Sequence, residues 1–135
     1  MTFTGLNIVG VIVAFGFSFV SGAIWFGPKT FYPIWMKERG IASGQLNANQ
    51  NKPVLLFGGT ILGIIAQTLT VALVITSLQH AGTEVSVAAG AGIGLALGLG
   101  IGAFASLSHR LFGGESLKVW IIETVNDAIN LTIAG

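Results

Sequence analysis

The chain has 135 residues, 53% of them hydrophobic and 8% charged, with a net charge of +1 and a mean hydropathy of +0.84. Six basic and five acidic side chains fall well short of the roughly 25% charged content of a soluble domain, so the chain is expected in a lipid bilayer. The balanced charge gives no footprint for nucleic acid, and the absence of cysteine excludes a disulfide scaffold or a thiolate metal site.

Four apolar stretches are long enough to cross about 30 Å of hydrocarbon, which takes about 20 helical residues. They run from about Leu6 to Gly27, Pro53 to Leu78, Val85 to Leu107 and Leu117 to Ala134. Backbone groups in lipid must be satisfied within the segment, so each stretch is read as a helix. The alternating ten-residue segments of a membrane β-barrel are not present. The first stretch has no basic residue before it and is too long for the apolar core of a signal peptide, so it is expected to remain in the protein. The expected fold class is therefore all-α, a single four-helix transmembrane domain over residues 1–135.

In the first stretch, Ser18 and Gly22 form a small-residue pair suited to close helix packing. The connection that follows, Pro28 to Lys52, mixes aromatics with cations at its start. Trp25, Tyr32 and Trp35, with Trp120 later in the chain, have the character of interfacial anchors. The sequence implies a short segment lying on the inner leaflet, a membrane-anchoring belt with a substrate lid as the alternative. A polar loop rich in Asn, Gln and Ser follows from Ile41 to Asn51.

The second stretch carries another small pair, Gly59 and Gly63, and a polar residue near its middle, Gln67. The third shows a four-residue repeat of small side chains: Ser86, Gly90, Gly94, Gly98, Gly102 and Ser106. A second row, Gly92, Ala96 and Gly100, lies beside it. Without Cβ atoms two helix backbones approach closely, and association in lipid depends on that packing. The repeat implies a close-packed interface with a helix of the same chain or of a neighbour. The run from Gly98 to Ala103 also matches a dinucleotide fingerprint, but that motif needs a strand before it, so it is set aside.

The fourth stretch is the most informative. Glu123, Asn126, Asp127 and Asn130 are spaced i, i+3, i+4, i+7 and share a helix face, opposite Ile122, Val125, Ile129 and Ile133. A charge near the bilayer centre costs about 2.5–3.5 kcal/mol even on the lenient insertion scale. The face is thus expected to meet protein or a water-filled path, with Gln67 supplying a further neutral oxygen and Arg110 or Lys118 an ion pair to Glu123. A structural hydrogen-bond network is the competing reading.

All six basic residues fall in the connections 28–52 and 108–118, while the N-terminal tail and the connection Gln79 to Glu84 have none. The positive-inside rule makes loops 28–52 and 108–117 cytoplasmic and puts both termini outside. The inner membrane of a bacterium is the expected location.

The turn Gly22-Ala23-Ile24-Trp25-Phe26-Gly27-Pro28, the stretch Trp35-Met36-Lys37 and the closing segment from Leu111 to Ile122 resemble the small four-helix membrane proteins catalogued as domain of unknown function 1761. The resemblance covers nearly the whole chain. It implies the four-helix membrane fold and no particular activity. The Glu123 and Asp127 pair departs from the family's usual last helix in being more acidic.

Two function classes follow. One is a homo-oligomeric channel or transporter with a proton or cation path along the acidic face of helix four. The other is a non-catalytic accessory subunit docking through its glycine stripe onto a larger membrane complex, one carrying pigments or redox cofactors. No Ser/His pair or metal-binding cluster accompanies the two carboxyls, so an enzyme is not expected. The expected partners are membrane lipids, copies of the chain or subunits of a complex. No cofactor is legible.

Overall fold

The computed structural model describes residues 3–41 and 53–135. The polar loop from Ile41 to Asn51 lies, beyond Ile41 itself, outside the described residues. The chain is all-α. Helix α1 spans Ile8–Trp25, α2 Tyr32–Glu38, α3 Pro53–His80, α4 Val87–Leu97, α5 Phe104–Phe112 and α6 Leu117–Ala134, with a π-helical turn, Gly98–Ala103, joining α4 to α5.

Local chemistry sets the ends of these helices. Asn7, Ser86 and Ser116 each turn a side-chain oxygen onto a free backbone N–H of the first turn, capping α1, α4 and α6. Pro33 sits in the first turn of α2, where no N–H is missed. The turn between α5 and α6 relies on Gly114 at φ 75°, a left-handed position that reverses the chain within four residues.

Among the described residues three helical stretches are long and apolar enough to cross a membrane: Ile8–Trp25, Phe57–His80 and Val87–Phe112. The sequence reading counted four. Helix α6 has 18 residues but carries Lys118, Glu123 and Asp127, which set it apart from the other three. The structure gives it another place. It is the central helix, with α1 along one side, α4 and the π turn along another, and α3 against the half distal to α2.

Exposure is inverted relative to a soluble protein. Ile8, Val9, Ile12, Phe17, Leu62, Val87 and Phe104 all lie more than half exposed. A contiguous apolar exterior on this scale marks a surface that meets lipid. The buried set includes Ser18, Thr68, Thr76, Thr124, Asn126 and Asn130 beside Val71, Val119 and Leu131. The protein is a membrane protein whose polar groups lie inside.

The glycine repeat accounts for the closest contact. A Cβ built on Gly94 would stand 1.9 Å from the Leu131 carbonyl oxygen, and one on Gly90 2.0 Å from that of Gly135. On Gly98 it would meet the Ala128 Cα at 2.8 Å. Glycine is the residue that fits at all three, so the repeat docks α4 onto α6 within one chain. Gly102, by contrast, meets the Leu97 oxygen at 3.9 Å, and Gly59, Gly63, Gly92 and Gly100 have nothing within 4 Å among the described residues. Gly59 and Gly63 were expected to pack a helix; among the described residues of this chain nothing meets them. That half of α3, from Val54 to Leu62, stands largely free of its neighbours.

The π turn was not foreseen. Three glycines in five residues, Gly98, Gly100 and Gly102, weaken the regular helical ladder, and the widened turn leaves carbonyl oxygens open to other donors. The Ala103 oxygen accepts from Ser106 Oγ at 2.8 Å and from Trp120 Nε1 at 3.1 Å.

Candidate functional site

The polar residues of α6 divide into two sets. Asn126 and Asn130 are buried, at 7% and 4% exposure, and share a side of the helix with Ile122. They lie toward α1, where Ser18, fully buried, donates its Oγ to the Asn130 carbonyl oxygen at 3.2 Å. Gly22 stands one turn further along α1, with the Asn130 amide nitrogen 4.0 Å from its built Cβ position. Glu123 and Asp127 form a flanking edge and are half-buried. The opposite face is not uniformly outward: Val125 and Ile133 are exposed, while Ile122 is buried against α1.

Three oxygens on this helix lie buried without a hydrogen-bond donor: Glu123 Oε2, Asn126 Oδ1 and Asn130 Oδ1. They follow one another at i, i+3 and i+7, a column about 10 Å long at 1.5 Å rise per residue. Buried acceptors in this number are unusual, because each forfeits its bonds to water. Gln67, expected to complement them, is half-buried on α3 and makes no hydrogen bond to them among the described residues.

At the α2 end the column meets a closed ring of charged and aromatic groups. Trp35 Nε1 donates to Glu123 Oε1 at 2.8 Å. Glu123 Oε2 lies 2.6 Å from Arg110 Nη1, an ion pair whose angle is not that of a hydrogen bond. Arg110 also pairs with Glu115, and Glu115 with Arg39 at 3.0 Å. The Arg39 guanidinium then lies 4.9 Å from the centre of the Trp35 ring, closing the circuit. Of the two cations offered to Glu123 by the sequence, Arg110 takes it. Lys118 instead pairs with Glu38 at 3.0 Å, and Ser116 donates to the same carboxylate. Those contacts hold the Glu38 carboxyl below its usual range, the Lys118 hydrogen bond foremost.

The tryptophans therefore do more than lie at an interface. Trp25 Nε1 donates to the Ile122 carbonyl oxygen at 3.0 Å, and its ring stacks on Phe31 at 4.1 Å. Trp120 reaches the π turn, and Trp35 reaches Glu123. All three indole N–H groups are taken up by protein acceptors, either on α6 or from it. Tyr32 stacks beside Trp35 at 6.0 Å. The roles of Arg39 and Glu115 were not visible in the sequence. Their only signal is an acid directly after the Gly113-Gly114 turn, facing the basic end of α2.

No curated protein and no solved structure matches the chain. The tryptophan-bearing turn after α1, the aromatic α2 and the closing helix are placed by the fold around one polar column, and these are the segments on which the family resemblance rests. Residues 9–135 match the family described as "Protein of unknown function (DUF1761)", and the chain belongs to that family.

Proposed function

We propose that this protein conducts protons or small monovalent cations across a membrane, along the polar side of α6. The observation that carries the reading is the pair of buried acceptor oxygens without a donor, Asn126 Oδ1 and Asn130 Oδ1, in line on the central helix with the Arg110-paired Glu123 Oε2. Acceptors without donors favour a species that brings its own: water, hydronium or a hydrated cation. Ionisable groups within a membrane carry this reading by default, since their cost in lipid is otherwise uncompensated. In this reading α6 is the fourth span, both termini face outward, and the ring at Trp35, Glu123 and Arg110 lies at the cytoplasmic end, where the basic residues cluster. Copies of the chain associate through the open rows, Gly59 with Gly63 and Gly92 with Gly100, none of which meets another part of the chain among the described residues.

A non-catalytic accessory subunit is the second reading. The docking surface first expected for it, the stripe Gly90, Gly94 and Gly98, is occupied by α6. The same open rows would have to serve it instead.

The test is flux in proteoliposomes under an imposed proton or potassium gradient. The wild-type chain is expected to dissipate the gradient, and Asp127→Asn and Asn126→Leu to reduce dissipation at least tenfold while preserving the assembled particle. Failure of the wild type to conduct, or full flux in both variants, removes the reading. Native mass spectrometry from the source membrane separates the two classes, because a small multiple of 13.9 kDa indicates self-association. Other subunits held at fixed stoichiometry indicate an accessory role.

A further inference from the structure

A cavity of about 390 Å³ lies between α1, α3 and α6 at the end away from the basic loops. Its polar lining is supplied by Asn7 at the start of α1 and by Thr68, Thr76 and Gln79 along one side of α3. From Gln79 to Thr68 is eleven residues, so the cavity descends about 16 Å, roughly half the thickness of a bilayer's hydrocarbon. It is large enough for on the order of ten waters, which its hydroxyl and amide groups would anchor and which would complete their bonds with one another. Among the described residues no charged side chain lines it.

The floor of the cavity matters most. Thr68 and Ile133 lie toward its inner end, with Phe17, itself 64% exposed, at its edge. Phe17 adjoins Ser18, which bonds the Asn130 carbonyl, and Ile133 is one turn from Asn130 along α6. The cavity thus ends one helical turn from the first oxygen of the unpartnered column.

We infer that this cavity is the outer aqueous vestibule of the conduction route, carrying water and small cations from the non-basic side of the membrane to Asn130. The inference rests on the conduction reading above. Water enters between α1 and α3, passes the Thr76 and Thr68 hydroxyls, and reaches the column beside Ile133.

The natural chain has no cysteine, so single substitutions report accessibility without a background. Gln79→Cys, Ala72→Cys and Thr68→Cys would be placed along the vestibule, with Val125→Cys on the exposed side of α6 as a lipid-facing control. A charged, membrane-impermeant thiol reagent is applied to one side of the membrane at a time. Ala72→Cys is expected to react from the side of the α3–α4 connection within tenfold of the rate of Gln79→Cys, and at least a hundredfold faster than Val125→Cys. Reaction of Ala72→Cys only with a membrane-permeant maleimide would mean that acyl chains fill the cavity, and would overturn the inference. Thr68→Cys extends the depth profile, and Ala72→Cys decides the matter if that variant does not fold. Labelled Ala72→Cys should also lose flux; labelling that leaves flux intact places the cavity off the route and equally overturns it. Labelling needs no flux, so an accessible Ala72→Cys in a chain that conducts nothing rejects the conduction reading and not the hydrated cavity.

Discussion

Trp35 on α2 donates its indole N–H to Glu123 on α6 across 88 positions of sequence, at 2.8 Å, and this bond joins a short peripheral helix to the central one. Glu123 has a second partner in Arg110, so its charge is shared between a neutral donor and a cation. A hydrogen bond to a charged group contributes about 1.5–3 kcal/mol, more than the ~0.6 kcal/mol typical of neutral pairs between membrane helices. Among the described residues the Trp35 contact is one of two ties between α2 and α6, the other being Glu38 with Lys118 and Ser116.

Trp35→Phe keeps the ring and removes the donor. We expect α2 to lose protection in hydrogen exchange, by about tenfold or more, while α1 and α4 stay protected. Combining it with Glu123→Gln in a double-mutant cycle should give a coupling of about 1 kcal/mol or more. A coupling near zero would show that Trp35 is held by its ring contacts with Phe26 and Tyr32 alone.

The glycines divide into two classes that mutation can separate. Gly94→Ala puts a methyl group 1.9 Å from the Leu131 oxygen, so α4 and α6 must move apart. Overpacking of this kind costs about 1–3 kcal/mol, and more when backbone is the obstacle. Gly59→Ala meets nothing within 4 Å and replaces the poorest ordinary helix former with the best, a gain of up to about 1 kcal/mol. Thermal unfolding of the single chain in detergent should show the first lowered and the second unchanged or raised, whereas in the associated particle proposed above the second should be lowered. A lowered midpoint for Gly59→Ala would place a second chain against it.

Much of this arrangement is legible in the residues, and what is not has a physical reason. The four-residue repeat announced a close contact because only glycine permits backbone to touch backbone. It did not name the partner, since periodicity describes one surface and not the surface opposite. The acidic face of α6 was likewise evident, as no charge is stable against lipid. Its division into an inward Asn126 and Asn130 and a flanking Glu123 and Asp127 depends on how α1 and α3 pack against it. Tryptophans at the ends of spans suit headgroups equally well as protein acceptors. The difference arises only when the fold brings the Ile122 and Ala103 oxygens within reach. The π turn was hidden for a related reason: three glycines loosen a helix without saying which way it yields.

The second link between α2 and α6 responds to pH. Glu38 accepts from Lys118 and Ser116, with Lys37 also nearby, and its pKa is lowered from the ordinary 4.5. A carboxyl with a depressed folded pKa contributes stability that is complete above its unfolded value and disappears as pH falls through the folded one. Docking of α2 should therefore be constant above about pH 4.5 and weaken below it. Tryptophan fluorescence of Trp35, read in a chain with Trp25 and Trp120 replaced by Phe, follows this directly. Glu38→Gln should remove the contribution at every pH and flatten that part of the profile. An unchanged profile in Glu38→Gln would assign the pH response to another carboxylate of the ring.

The π turn and Trp120 form one unit, and their coupling should be measurable. The Ala103 oxygen has two donors, Ser106 Oγ and Trp120 Nε1, and Trp120 Nε1 also lies 3.2 Å from Ser106 Oγ. Removing either donor leaves the other in place. Ser106→Ala or Trp120→Phe alone should thus cost only about 0.6 kcal/mol, the usual worth of a hydrogen bond between membrane helices. Removing both strips the Ala103 carbonyl, which also caps the start of α5, of its side-chain donors in a poorly hydrated setting, at a cost of about 1–3 kcal/mol. The double variant should be destabilised by clearly more than the sum of the single ones, as resistance to denaturing detergent would show. Simple additivity would mean that the widened turn is held by its glycines alone, and that Trp120 acts through its ring against Phe104.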